Sequence, residues 1–64
     1  MLEELGMIIK LHRVKNKLSQ SEFAKKLGVS VTTICSLERG ARKPKDFVIE
    51  ALTEELKINV RKYL

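Results

Sequence analysis

The chain has 64 residues, with thirteen Lys and Arg against eight Asp and Glu, a net charge of +5, one cysteine and no tryptophan. A chain this short hides only about 60% of the surface it exposes when unfolded, which leaves one modest core and no room for a deep substrate pocket with its supporting residues. A lone Cys35 excludes an internal disulfide framework, no apolar run approaches the ~18 residues of a membrane span, and 44% apolar content is far from the signature of disorder.

The opening MLEELGMIIK carries two early glutamates and lacks the basic stretch of a signal peptide, so a soluble, cytoplasmic chain is expected. The charge is unevenly spread. Lys10 to Lys45 holds ten basic residues against Glu22 and Glu38, a local excess of +8, while the remainder carries −3. That asymmetry suits a fold with one side turned to phosphates, although a solvated mixture of lysines fits charge alone equally well.

Proline occurs only at Pro44 and glycine only at Gly6, Gly28 and Gly40, with no sustained strand alternation, so the expected fold is all-α. Leu2, Leu5 and Ile9 recur at helical spacing and predict a first helix to about Lys15. Ser19-Gln20-Ser21-Glu22 fits a capping box, which opens a second helix at about 20–27 with Phe23, Ala24 and Leu27 inward. Gly28 suits the left-handed position that closes it. Ser30 is the next N-cap, and a third helix at about 31–39 buries Ile34 and Leu37. Ala41 to Lys45 reads as a basic loop. Asp46 is expected to cap a fourth helix carrying Phe47, Ile49, Leu52 and Leu56, and Asn59 to cap a short fifth, Val60 to Tyr63.

The link at Gly28-Val29 is so short that the second and third helices must cross steeply, leaving the outer face of the third projecting. With Ile34 and Leu37 inward, the expected outer residues are Val31, Thr32, Cys35, Ser36 and Arg39. Apart from Arg39 they are small, and a helix so lined can enter the DNA major groove, ~12 Å wide. Val31 and the Thr32 methyl suit thymine methyl groups, and the Thr32 and Ser36 hydroxyls suit base edges. Taken alone, such a face reads more readily as that of an ordinary solvated helix.

The whole pattern resembles the Cro and phage-repressor type helix-turn-helix proteins, also called the xenobiotic-response-element family. The resemblance rests on Arg13, on Leu18-Ser19-Gln20-Ser21-Glu22-Phe23-Ala24, on Leu27-Gly28-Val29-Ser30, on Thr33-Ile34, on Leu37-Glu38-Arg39-Gly40 and on Pro44, Leu52, Leu56 and Ile58. It implies a compact five-helix, lambda-repressor-like domain over residues 1–64. It also implies base contacts from Val31, Thr32 and Ser36. Backbone contacts would come from Gln20, Ser30, Thr33, Arg39, Arg42 and Lys43, and Gln20 would brace the third helix as well. Arg13 and Glu38 match a structural ion pair that sets the angle of that helix. The sequence departs from the pattern at Lys17, where glycine is common, and at Asp46, where an apolar residue is common. Val, Thr and Ser stand where long Gln or Arg side chains would make bidentate base contacts, which shifts specificity toward DNA shape.

The expected function is a bacterial or phage-type transcriptional regulator, a repressor acting on a palindromic operator as a homodimer. Its double-stranded DNA partner needs no cofactor, metal or small-molecule ligand. The expected subunit contact is Phe47, Val48, Ala51, Ile58, Val60, Tyr63 and Leu64, a set more apolar than one helix must bury. The competing reading is a protein-interaction module of the same fold, such as an antitoxin or anti-repressor partner, and an enzyme is the weakest candidate. His12 has no second ligand at metal spacing and reads as a boundary residue of helix one. Cys35 reads as a small helix residue, with a thiol switch as its alternative. Met7, Leu11 and Val14 form a second apolar stripe on helix one, either core overflow or a partner contact.

Overall fold

The computed structural model describes residues 1–64 and contains four α-helices: α1 (Leu2–Lys15), α2 (Gln20–Leu27), α3 (Val31–Glu38) and α4 (Asp46–Leu56), followed by a 3₁₀ turn at Val60–Tyr63. The expected fifth helix is thus a single tight turn. Asn59 precedes it without lending a side-chain bond, and four residues are too few to propagate α-helical bonding. No helix is long and apolar enough to cross a membrane.

Local chemistry sets the boundaries. At the start of α2 the Ser19 Oγ accepts from the Glu22 amide at 3.0 Å, and the Ser19 amide donates to Glu22 Oε1 at 2.7 Å. The pair satisfies two of the orphan donors that every helix start carries. Gly28 closes α2 at φ 77°, and Ser30 opens α3 by accepting from the Thr33 amide at 3.2 Å. Asp46 does not cap α4 as expected; it is the first helical residue, and Lys45 stands at the cap position without a side-chain bond. Asn16 remains right-handed at φ −91°. The left-handed turn after α1 therefore falls on Lys17, with φ 58°, and Lys57 makes the same turn after α4 at φ 59°.

The core joins Leu5 and Ile9 of α1, Phe23 and Ala24 of α2, Ile34 and Leu37 of α3, Val48, Ile49 and Leu52 of α4, and Val60. α3 lies between α1 and α2, while α4 closes over α2 and the 3₁₀ turn touches both α1 and α4. The α1–α3 approach depends on Gly6. A Cβ there would stand 2.5 Å from the Glu38 carbonyl oxygen and 2.6 Å from that of Leu37. α1 is thereby seated directly on the end of α3, with no side chain between the two backbones. A second tie joins α1, α2 and α4. Glu55 of α4 lies 3.0 Å from Lys26 Nζ and 3.3 Å from His12 Nε2, whose ring tilts against Phe23 at 5.9 Å. His12, expected as a boundary residue of helix one, thus also bridges α1 to α2 and α4.

Candidate nucleic-acid interface

α3 is positioned by a network built on Glu38. Arg13 donates from Nε to Glu38 Oε2 at 2.6 Å and from Nη2 to Oε1 at 3.1 Å, while Nη1 reaches the Leu18 carbonyl at 2.9 Å. The fork matches the two carboxylate oxygens, the geometry in which arginine binds most strongly. Gln20 Nε2 donates to Glu38 Oε1 at 3.1 Å, and Cys35 Sγ donates to Gln20 Oε1 at 3.1 Å. Helix one, the start of helix two and the last turn of helix three are tied by these bonds.

The Glu38 side chain is only 5% exposed. Burial pushes its carboxyl up, but hydrogen bonds from Arg13 and Gln20 and the charges of Arg13 and Lys10 outweigh it and hold the group below the ordinary carboxylate range. The bond to Glu38 raises Arg13 correspondingly. Glu38 is therefore an acceptor throughout the physiological range, and it fixes the Gln20 amide with nitrogen toward the carboxylate. Gln20 Nε2 has a second proton to offer at the start of α2.

On the outer face of α3, Val31 is 42% exposed and Thr32 and Arg39 are exposed. Ser36 is not: it is 9% exposed, which corrects the reading that places its hydroxyl on the outer face. Gly40, at φ 67°, turns the chain back across the end of α3, and the Ala41 amide bonds the Ser36 carbonyl at 2.9 Å.

Beside the N-terminus of α3 a polar chain runs from Ser30 Oγ to Thr33 Oγ1 at 3.0 Å and on to Arg42 Nη2 at 3.1 Å. These residues line an open groove of about 330 Å³, bounded by Gly28, Val29, Ser30 and Thr33 on one side and by Arg42 to Lys45, Phe47 and Val48 on the other. The structure thus gathers Ser30, Thr33, Arg42 and Lys43 along one groove. It adds Lys45 and Phe47, which the sequence reading left out of the interface. Lys45 could have been found from its place in the same basic run. Phe47 could not, because an aromatic at the start of a helix ordinarily signals core. Phe47 is instead 58% exposed.

That geometry, an α2–turn–α3 unit with a small-residue helix face and a basic groove at its N-terminus, has a counterpart among known families. Residues 9–63 match the helix-turn-helix family. The chain belongs to it. Helix-turn-helix domains of this Cro and phage-repressor type are DNA-binding regulatory domains, not in general enzymes, and the all-helical architecture here agrees with that membership. No curated protein matches the chain closely enough to stand as a relative.

Two residues of the expected subunit contact are not available to a second chain. Val48 and Val60, at 3% and 0% exposure, are taken up by the domain's own core and have nothing to present to a second chain. Phe47 faces the basic groove instead. Ile58, Tyr63 and Leu64 pack against the core as half-buried residues, and Ala51 is also half-buried.

Proposed function

We propose that this helix-turn-helix domain is a sequence-specific, cytoplasmic repressor that seats α3 in the major groove of a palindromic operator and binds as a homodimer. The exposed Val31 and Thr32, flanked by the Ser30–Thr33–Arg42 chain and the basic groove, carry the reading. Val31 and Thr32 offer methyl and hydroxyl groups to base edges. Arg39, Arg42, Lys43, Ser30, Thr33 and the free Gln20 amide proton meet phosphates on either side of the groove. The unsatisfied amides at the start of α3 favour an anion in the same place.

Size supports the homodimer. The domain measures 25 Å along its longest axis, whereas successive major grooves on one face of B-DNA lie about 34 Å apart. One copy therefore covers one half-site, and a second copy is needed for the next.

Selection from random duplexes tests the proposal, since a two-fold-related consensus with half-sites about one turn apart is the expected result. Affinity for the selected duplex falls with salt at a log–log slope of about −0.9 per phosphate neutralised. A flat salt response, or no enriched sequence, sinks the DNA reading in favour of a protein-interaction module.

A further inference from the structure

Phe47 has no part in the phosphate and base contacts described so far. It stands in the first turn of α4 and is 58% exposed, whereas Val48 and Ile49, next in the chain, fill the core. A lone apolar residue on a protein surface is ordinary. What sets Phe47 apart is its company.

Arg42, Lys43 and Lys45 line the same groove, and none of the three has an acidic partner within the chain. Asp46, between Lys45 and Phe47 in sequence, does not line it. Arg42 spends Nη2 on Thr33 Oγ1 and keeps its other donors for a partner. The groove therefore offers two kinds of contact together: cations and hydroxyls that suit an anion, and an apolar surface of Val29, Pro44 and Phe47. A sugar–phosphate strand presents the matching pair in alternation, a phosphate and then the C–H face of a deoxyribose. Continuity with α3 points to the same occupant. Ser30 and Thr33 form the near wall and flank Val31 and Thr32 in sequence, so a strand bordering the major groove that α3 enters passes along this groove.

We propose that Phe47 packs its ring against a deoxyribose of the strand that Arg42 and Lys43 hold, on the side turned to the flanking minor groove. The proposal rests on the DNA reading and adds to it a contact that is neither phosphate nor base edge. Where a sugar stands depends on the local width of the minor groove, so the ring makes affinity depend on the shape of the flanking step. That dependence suits a helix whose Val31 and Thr32 make few hydrogen bonds to bases.

Titration of a single-half-site duplex from the selection, at several salt concentrations, tests it with Phe47→Ala, Phe47→Leu and Lys45→Ala. Phe47→Ala weakens binding about three- to tenfold at an unchanged salt slope, the worth of covering part of one aromatic side chain, and Phe47→Leu recovers most of the loss. Lys45→Ala instead lowers the slope by about 0.9. The chain has no tryptophan, so Phe47→Trp supplies a single reporter whose emission moves to the blue as the duplex covers it. Duplexes trimmed of the nucleotides flanking the half-site bind the wild type and Phe47→Ala alike. The circular dichroism spectrum of Phe47→Ala stays that of the wild type, which keeps binding apart from folding. Unchanged affinity in Phe47→Ala, a loss that brings a lower salt slope, or an emission of Phe47→Trp indifferent to the duplex overturns the contact, while the DNA reading stands as long as Thr32→Ala shifts the preferred sequence. A selection that enriches no duplex overturns the DNA reading itself, and this contact falls with it.

Discussion

Arg13→Ala removes the cation from a carboxylate that has few other partners. Glu38, 5% exposed, keeps only the Gln20 amide, and Arg13 itself is 13% exposed, so water does not readily replace the guanidinium. Stripping one member of a buried pair costs about 3–5 kcal/mol. Because the pair sits at the edge of the core, the lower end, about 3 kcal/mol, is expected. A domain this size holds about 3–10 kcal/mol in all, so the loss is a large share of the total and brings the variant close to unfolding. Urea unfolding followed by circular dichroism measures it, with Arg13→Met/Glu38→Leu as the decisive partner, since replacing both charges by apolar groups recovers most of the loss. The acid limb gives a second check. The folded Glu38 carboxyl is depressed, so its contribution is complete above the ordinary glutamate value near ~4.3 and drains away as pH falls through the lower folded value. That acid sensitivity shrinks in Arg13→Ala. A loss below about 1 kcal/mol, or an unchanged acid limb, refutes the assignment of Glu38 as a charge held by Arg13.

Gly6→Ala forces a methyl against two backbone carbonyls of α3 and destabilises by about 1–3 kcal/mol or more, read as a lowered thermal midpoint. Lys17→Gly and Lys57→Gly relieve left-handed side-chain strain at φ 58° and 59°; each raises stability by up to about 1 kcal/mol in urea. Arg39→Ala and Arg42→Ala weaken binding to all duplexes alike and flatten the salt slope by about one phosphate each, whereas Thr32→Ala changes which sequence is preferred. An unaltered preference in Thr32→Ala would remove α3 from the readout face.

The helices were legible wherever one residue decides a boundary. Ser19 with Glu22, Gly28 and Ser30 each have a stereochemical job that few other residues can do, and each sits where the spacing placed it. The start of α4 was harder to read. Phe47, Val48 and Ile49 are three consecutive apolar residues, each turned ~100° from the last. Pattern alone gives Phe47 to the inward stripe and both Phe47 and Val48 to a subunit contact, whereas packing buries Val48 and leaves Phe47 exposed beside the basic groove. Ser36 differs for another reason: helical spacing sets it among the outer residues, yet it is buried where the chain turns back at Gly40 and bonds its carbonyl through the Ala41 amide. That contact joins residues beyond the end of α3 and leaves no trace in helical periodicity. The groove carrying Lys45 and Phe47 was hidden in the same way, assembled from the α2–α3 turn and the loop that precedes α4.

The positioning of Gln20 shows how the core and the outer face share one set of atoms. A glutamine at a helix start could turn either end of its amide outward, and a rotatable side chain would lose entropy on fixing one of them against a phosphate. Here the choice is settled before any partner arrives. A carboxylate accepts and cannot donate, so Glu38 draws the amide nitrogen, and Cys35, a donor, takes the oxygen. Arg13 in turn keeps Glu38 ionised. The cation that anchors α1 to α3 therefore also decides which end of Gln20 is presented at the start of α2. In Arg13→Met/Glu38→Leu, stability and orientation separate: the apolar pair restores the fold but leaves the Gln20 amide without its carboxylate. A variant that regains stability while binding duplex more weakly would trace the effect to orientation, and one that regains both would assign Arg13 and Glu38 to the fold alone.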